Sequence, residues 1–486
     1  SDLINTDTMT TSGTQTYTGA AVLGNSTTLT TTDSDITFGS TVNAASAGGQ
    51  GLTLVTGTGD VDLQGAVGGT ALSGLTVSSA TTARFGASVT TTGIQSVTAG
   101  TIQINGIHTT NGANISLSGA VVLQADATLT TDAGAGGDVL LGGTLNATTA
   151  DTEGLDIISG SGTISITGPV GAIARLKHLQ LDSTAAGIAL PALTVSTTGY
   201  LYVYTGGAVT QSGALAGGTL HVKTRLDGGA AVTLNTQINS FSTVIFETRN
   251  GADLADAAGA IDYRDTDGFI VGAAGAGGAG IRTTSTATLQ PGAAVTQTGE
   301  VISGGLDLIG TGPYTLTDAA NNVVTLAANL GTASAALSYN DANAFSVGTI
   351  ASTGITTNGG AVTLTITSGN MTVTSAITTN GGAVTLATTA GDLTVANDIT
   401  TAGGIVDADI QGALNLNATI TSGVGNVTLD ATGVTTIAAT GDIVTTTGTV
   451  RFGSTLTGTP LTAGAVTTGG VAVRYYRDVQ ASGAVP

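Results

Sequence analysis

Ile355-Thr-Thr-Asn-Gly-Gly-Ala-Val362-Thr-Leu364 returns almost letter for letter as Ile377-Thr-Thr-Asn-Gly-Gly-Ala-Val384-Thr-Leu386. A third copy starts at Ile399 (ITTAGGIV) and a fourth at Ile420 (ITSGVGNVTL), so the spacing is 22, 22 and then 21 residues. A fixed period in this range marks supersecondary units that stack on one another. Inside each period the apolar residues alternate: Val362, Leu364 and Ile366 face one way, Thr363, Thr365 and Thr367 the other. A second short run follows at Met371-Thr-Val373, matched by Leu393-Thr-Val395 and Leu414-Asn-Leu416. Alternation of this kind, rich in β-branched residues, is the pattern of strands that bury one face. Asn358-Gly359-Gly360 and Ser368-Gly369-Asn370 interrupt the runs where the chain must turn a corner. Each period therefore reads as one coil of two or three strands, with Val362 under Val384 and Val384 under Val406. The fold class is all-β, a parallel β-solenoid of about 22-residue coils with a narrow aliphatic core.

Working outward, the same architecture extends in both directions. Residues 355–452 carry the most regular repeats, and Ile107-His-Thr-Thr-Asn-Gly-Ala-Asn-Ile115-Ser-Leu117 is an early form of them. Alternation is legible from Ile36-Thr-Phe38 through Leu52-Thr-Leu54, Val61-Asp-Leu63 and Leu75-Thr-Val77. Ser1 to Asn25 is polar and Thr-rich, with Tyr17 as its one anchor, and the tail Val471–Val479 reads as one more strand. No linker of prolines or charges interrupts the chain, so residues 1–486 read as a single continuous solenoid. Residues 171–282 form an irregular, more charged middle with seven of the 11 basic residues. Within it, Gly171–Leu181 suits a short helical turn or a strand, and the glycine-rich Gly272–Gly280 reads as a loop leaving the coil.

Composition agrees with a thin interior. The 486 residues include 75 Gly but nine Tyr, seven Phe, no Trp and no Cys. At one coil per 22 residues there would be roughly 22 coils, and at about 4.8 Å each a rod on the order of 100 Å. A net charge of −20 speaks against nucleic acid or an anionic membrane as partner, and no apolar run reaches the length of a membrane span. The chain begins without a signal sequence, which suits a cytosolic protein or a mature product whose targeting segment has been removed. The lack of Cys suits a protein that crosses an oxidising periplasm unfolded.

The Ile-Thr-Thr-Asn-Gly-Gly-x-Val-Thr-Leu repeats, Val323–Leu330, Leu337–Ala344, Gly206–Leu215 and Ile261–Asp265 resemble the filamentous-haemagglutinin-type proteins of Gram-negative bacteria. The resemblance runs through nearly the whole chain. It implies a right-handed parallel β-helix, export through an outer-membrane partner, and adhesion or matrix building. The amino-terminal secretion domain of that family is not recognisable here.

Each candidate site competes with a plain structural role. His108, His178 and His221 are scattered, with no nucleophile-elbow sequence. Asp262, Arg264, Asp265 and Asp267 with Arg249 and Lys223 are the ingredients of a polysaccharide lyase or hydrolase of the β-helix class, although Asp265–Gly268 also reads as a simple turn. Gly134–Gly143 is a single imperfect copy of a calcium-binding nonapeptide that works only in tandem, so a turn is the better reading. The outward rows Thr363, Thr385, Asp407, Thr428 and Thr372, Thr394, Asn415 are too interrupted for an ice-binding array. Tyr200, Tyr202 and Tyr204 alternate with Leu201 and Val203, which puts three tyrosines outside as a contact patch for sugar or protein, unless a loop covers them.

The expectation is thus a non-enzymatic, secreted structural or adhesive solenoid without a cofactor or metal. Its partner would be itself, polymerising head to tail into extracellular filaments of a cell surface or biofilm matrix, with cell-surface or matrix polysaccharide as a further partner. A monomeric rod-like adhesin and the polysaccharide-degrading enzyme are the alternatives.

Overall fold

The fold follows from two requirements, that apolar side chains leave water and that every backbone N–H and C=O finds a partner. The computed structural model describes residues 2–131, 136–185, 187–275, 278 and 280–453. Beyond these it describes the backbone of the short strands Leu461–Thr462, Ala465–Thr468, Val473–Tyr475 and Val479–Gln480. The chain divides into two compact units, Ser1–Ser242 with Arg249–Ala255, and Thr243–Thr248 with Asp256–Pro486. Each is a parallel β-solenoid, with about 20 turns in all, strands stacked about 22 residues apart and no helix among the described residues.

In the second unit the stack has the register that the repeats dictate. Val362 pairs with Val384 and Val384 with Val406, while Leu364, Leu386, Ala408 and Leu429 form the neighbouring column. All of these are buried. Thr363, Thr385, Asp407 and Thr428 make the outward column beside them. Each coil has three strands, as in Ile377–Thr378, Val384–Thr388 and Leu393–Val395. The tail behaves as a strand where it is described, the backbone of Val473–Tyr475 pairing with Val450–Phe452.

Corners are built by side chains that bond backbone. Thr357, Thr379, Thr401, Ser422 and Thr445 point inward at one corner, and each donates its hydroxyl to the carbonyl three residues on, at Gly360, Gly382, Gly404, Gly425 and Gly448. These glycines allow a close approach between coils. A Cβ on Gly382 would lie 2.1 Å from the Gly360 carbonyl oxygen, and one on Gly404 2.0 Å from that of Gly382. At another corner Asp or Asn accepts from the amide of the next coil, Asn370 from Asp392 and Asp392 from Ala413, and beside the Thr–Gly corner Asn426 accepts from Thr449.

The first unit uses the same devices with a less even period. Asp33 accepts from Thr58 N–H, Asp35 from Asp60 and Asp60 from Thr82. Thr56 and Ser159 close corners as Thr357 does. Coils also begin earlier than the sequence suggests. Asp2–Ile4, Thr8–Thr11 and Gln15–Tyr17 already pair with Ala21–Leu23, Thr27–Thr31 and Ile36–Phe38. Parallel pairing is made by backbone, so a polar Thr-rich run joins it without apolar alternation. Tyr17 is half-buried, stacked on Phe38 at 4.5 Å. Gly171–Leu181 holds no helical turn, since Leu176–Ser183 is a strand with Leu179 and Leu181 buried.

Both units contain one further device, a reciprocal amide pair. Gln211 and Asn239 exchange side-chain hydrogen bonds of 2.9 and 3.2 Å in the first unit, as Gln297 and Asn321 do at 2.9 and 3.1 Å in the second. The same Asn oxygen accepts the backbone N–H of Leu215 in one and Val301 in the other. The surrounding sequences, Ala208-Val-Thr-Gln-Ser-Gly and Ala294-Val-Thr-Gln-Thr-Gly, are near-copies.

Candidate functional site

Tyr200, Tyr202 and Tyr204 lie on the strand Leu193–Thr205, whose pleat buries Leu201 and Val203 completely and turns the three rings outward. The parallel register carries the row into adjacent coils. His178 pairs with Tyr200, Gln180 with Tyr202 and Asp182 with Tyr204, and on the other side Tyr202 meets His221 and Tyr204 meets Lys223. Two of the three scattered histidines are thereby brought to the tyrosines, which period-based reading of a single coil does not reveal.

The rings form a ladder. His178 stacks on Tyr200 at 4.8 Å, Tyr200 on Tyr202 at 4.0 Å, and Tyr202 leans on Tyr204 at 6.0 Å. His221 stands edge-on to Tyr202 and Tyr204 at 5.5 and 5.3 Å, with its Nδ1 3.4 Å from the Tyr204 hydroxyl. Room for the first rung comes from Gly154, where a Cβ would lie 2.1 Å from the His178 ring. All three tyrosines are half-buried. Burial and the nearby Asp156 charge push the Tyr200 phenol above its ordinary value.

Ion pairs frame the ladder. His178 Nε2 is 3.3 Å from Asp156, Lys177 Nζ 3.1 Å from Asp126, Arg225 3.0 Å from Asp182, and Lys223 3.0 Å from Asp253, which also holds Arg249 at 3.1 Å. Burial pushes Asp253 up, but the Lys223 and Arg249 hydrogen bonds and charges outweigh it and hold the carboxyl below its usual range. Asp126 is held low in the same way by the Gly154 amide and Lys177.

The residues considered for a lyase are placed differently. Asp265 is buried in the second unit, accepting the Tyr263 hydroxyl and, at 2.8 Å, the Asp267 amide. Tyr339–Asp341 repeats that arrangement, Asp341 accepting from Tyr339, Asn343 and Val323. Asp262 and Arg264 face outward on the same strand as Asp265, while Lys223 and Arg249 belong to the Asp253 group of the first unit. In the glycine-rich stretch Gly134–Gly143, residues 134 and 135 lie outside the described residues. Asp138 closes a corner there, accepting both the amide and the hydroxyl of Thr163 at 2.8 Å. In Gly272–Gly280, residues 276, 277 and 279 also lie outside them.

No curated protein and no solved structure matches the chain. A family model described as repeats of unknown function (DUF5649) matches residues 177–246, the stretch that supplies Lys177, His178, the three tyrosines, His221, Lys223 and Arg225.

Proposed function

We propose that this chain is a secreted, non-catalytic structural and adhesive β-solenoid of a Gram-negative cell surface or its matrix, akin to filamentous-haemagglutinin-type proteins, with the ring ladder as its contact patch. The repeated solenoid suits a structural or adhesive role, and the observation that carries the rest is the ladder itself. Rings held by strand register, stacking and flanking ion pairs present a preset surface that needs no ordering before contact. The test is adhesion of beads coated with the chain to bacterial surfaces or extracted matrix. Adhesion should fall to background for Tyr200→Ala/Tyr202→Ala while circular dichroism shows the fold retained. Full adhesion by that folded variant would refute the patch, and turnover of an acidic polysaccharide on a zymogram would refute the non-catalytic reading.

In this proposal copies also add head to tail into filaments. Coil-to-coil bonding is parallel and made by backbone, so a free coil edge accepts any coil in register, and a contact that does not close on itself propagates. The C-terminal part of the expected joint, residues 471–486, lies outside the described residues apart from the backbone of Val473–Tyr475 and Val479–Gln480. Sedimentation and negative-stain microscopy should give fibres from the intact chain and short soluble particles after removal of Ser1–Asn25 and Val471–Pro486. A monomeric intact chain at high concentration would leave the lone adhesin.

A further inference from the structure

We propose that the ladder binds an uncharged polysaccharide, gripping it by hydroxyl-to-hydroxyl bonding along ring edges. The inference rests on the reading of the ladder as a contact patch and adds the class of partner.

Ring geometry comes first. A sugar that stacks on tyrosine needs an open aromatic face. Here the Tyr200 faces are taken by His178 and Tyr202, at centroid distances of 4.8 and 4.0 Å and interplanar angles of 16° and 29°. With those faces taken, Tyr200 and Tyr202 offer a partner their half-buried rims and phenol hydroxyls, each able both to donate and to accept, while the Tyr204 hydroxyl already faces His221 Nδ1 at 3.4 Å. Gln180, paired in register with Tyr202, adds an amide to the same row. A partner that answers such a row must itself alternate donors and acceptors, as a chain of hydroxyls does.

Charge narrows the class. The whole chain carries −20, yet around the ladder Asp126, Asp156, Asp182 and Asp253 are offset by Lys177, Lys223, Arg225 and Arg249, which with neutral histidines leaves no formal charge. Asp126, Asp182 and Asp253 each lie within 3.1 Å of a lysine or arginine nitrogen, and Asp156 faces His178 Nε2 at 3.3 Å. An acidic polysaccharide gains little here and is repelled by the rest of the surface. A basic protein is drawn to that acidic remainder. The patch is where an uncharged, hydroxyl-rich chain meets neither attraction elsewhere nor repulsion on arrival.

The test is native affinity electrophoresis of the full chain through gels containing a neutral β-glucan, a galactomannan or dextran, and separately alginate. At least one neutral polymer should retard the wild type, and alginate should not. Tyr202→Phe, which keeps the ring and removes one hydroxyl, should weaken retardation about fivefold, the worth of one hydrogen bond. Tyr200→Ala/Tyr202→Ala should abolish it, with circular dichroism confirming the fold. No retardation by any neutral polymer, retardation that survives the double substitution, or retardation unchanged by Tyr202→Phe each overturns the proposal. Concentration-dependent sedimentation lost in the double variant would instead assign the patch to a second copy. If bead adhesion needs the tyrosines while no neutral polymer binds, the polysaccharide fails and the patch stands; if adhesion ignores them, the patch fails as well.

Discussion

His108 shows how much one side chain can carry. It points into the first unit, fully buried, with Nδ1 3.2 Å from the Gln95 side-chain oxygen, Phe85 edge-on at 5.3 Å and no hydrogen-bond partner for Nε2. Burial lowers its pKa from 6.5 to about 4. In the unfolded chain the ring takes up a proton near pH 6.5, whereas the folded chain refuses it until about 4. The unfolded state therefore binds more protons in that window, and stability is full above pH 6.5 and declines as pH falls toward 4. The displacement corresponds to about 3 kcal/mol. Urea midpoints measured from pH 7.5 down to 4 should fall across this range. His108→Leu should flatten that part of the profile, although it starts from a lower midpoint because the Gln95 oxygen loses its neighbour. An unchanged slope would place the acid sensitivity elsewhere.

For the strand and its corner, the decisive contrast is between neighbours that face opposite ways. Val384 is fully buried between Val362 and Val406, so Val384→Asp buries a charge without a partner and should cost several kcal/mol. Thr385→Asp lies on the outward column, where it costs about 1 kcal/mol through repulsion with Asp407. The Asp407 carboxyl is already pushed up by burial and by Asp409. Equal losses of denaturation midpoint would mean that inside and outside are misassigned. Glycines give a second contrast. Gly404→Ala drives a Cβ onto the Gly382 carbonyl and should cost about 3 kcal/mol, while Gly331→Ala meets nothing within 4 Å and should be neutral in the same melting assay.

These elements mark what a sequence reader can and cannot see. Val362, Val384 and Val406 were legible because period-two alternation and the 22-residue repeat both point to them. Thr357 and Thr379 were only half legible, since alternation from Ile355 and Ile377 turns them inward but does not say which carbonyl the buried hydroxyl caps. The Asp and Asn caps escape for a similar reason, because their partners lie 21 to 25 residues away. At the ladder the three tyrosines could be read from their alternation, but His178 and His221 arrive only through the register of adjacent coils. Asp265 looked like a surface turn, yet Tyr263 draws it inside.

On the scale of the whole chain, 31 acidic residues face 11 basic ones. Self-repulsion of this kind is long-ranged and screenable. Raising salt from about 10 mM to about 0.3 M shortens the screening length from about 30 Å to under 10 Å and should raise the thermal midpoint. A midpoint that falls with salt would mean that the engaged ion pairs outweigh the repulsion. The stacked glycine column has a consequence of another kind. Because Gly360, Gly382, Gly404 and Gly425 each sit against the carbonyl one coil before, removing or adding a complete turn in this stretch keeps the glycine column in register. Losing residues 377–398, one full repeat, sets Gly404 where Gly382 stood and restores every contact, whereas losing half that stretch misaligns all that follows. The stretches beginning at Ile355 and Ile377 are near-identical turns set side by side in the residue sequence. Unequal crossing-over there adds or deletes one in-frame turn at a stroke, so related genes should differ in copy number in this region far more than by single-codon insertions.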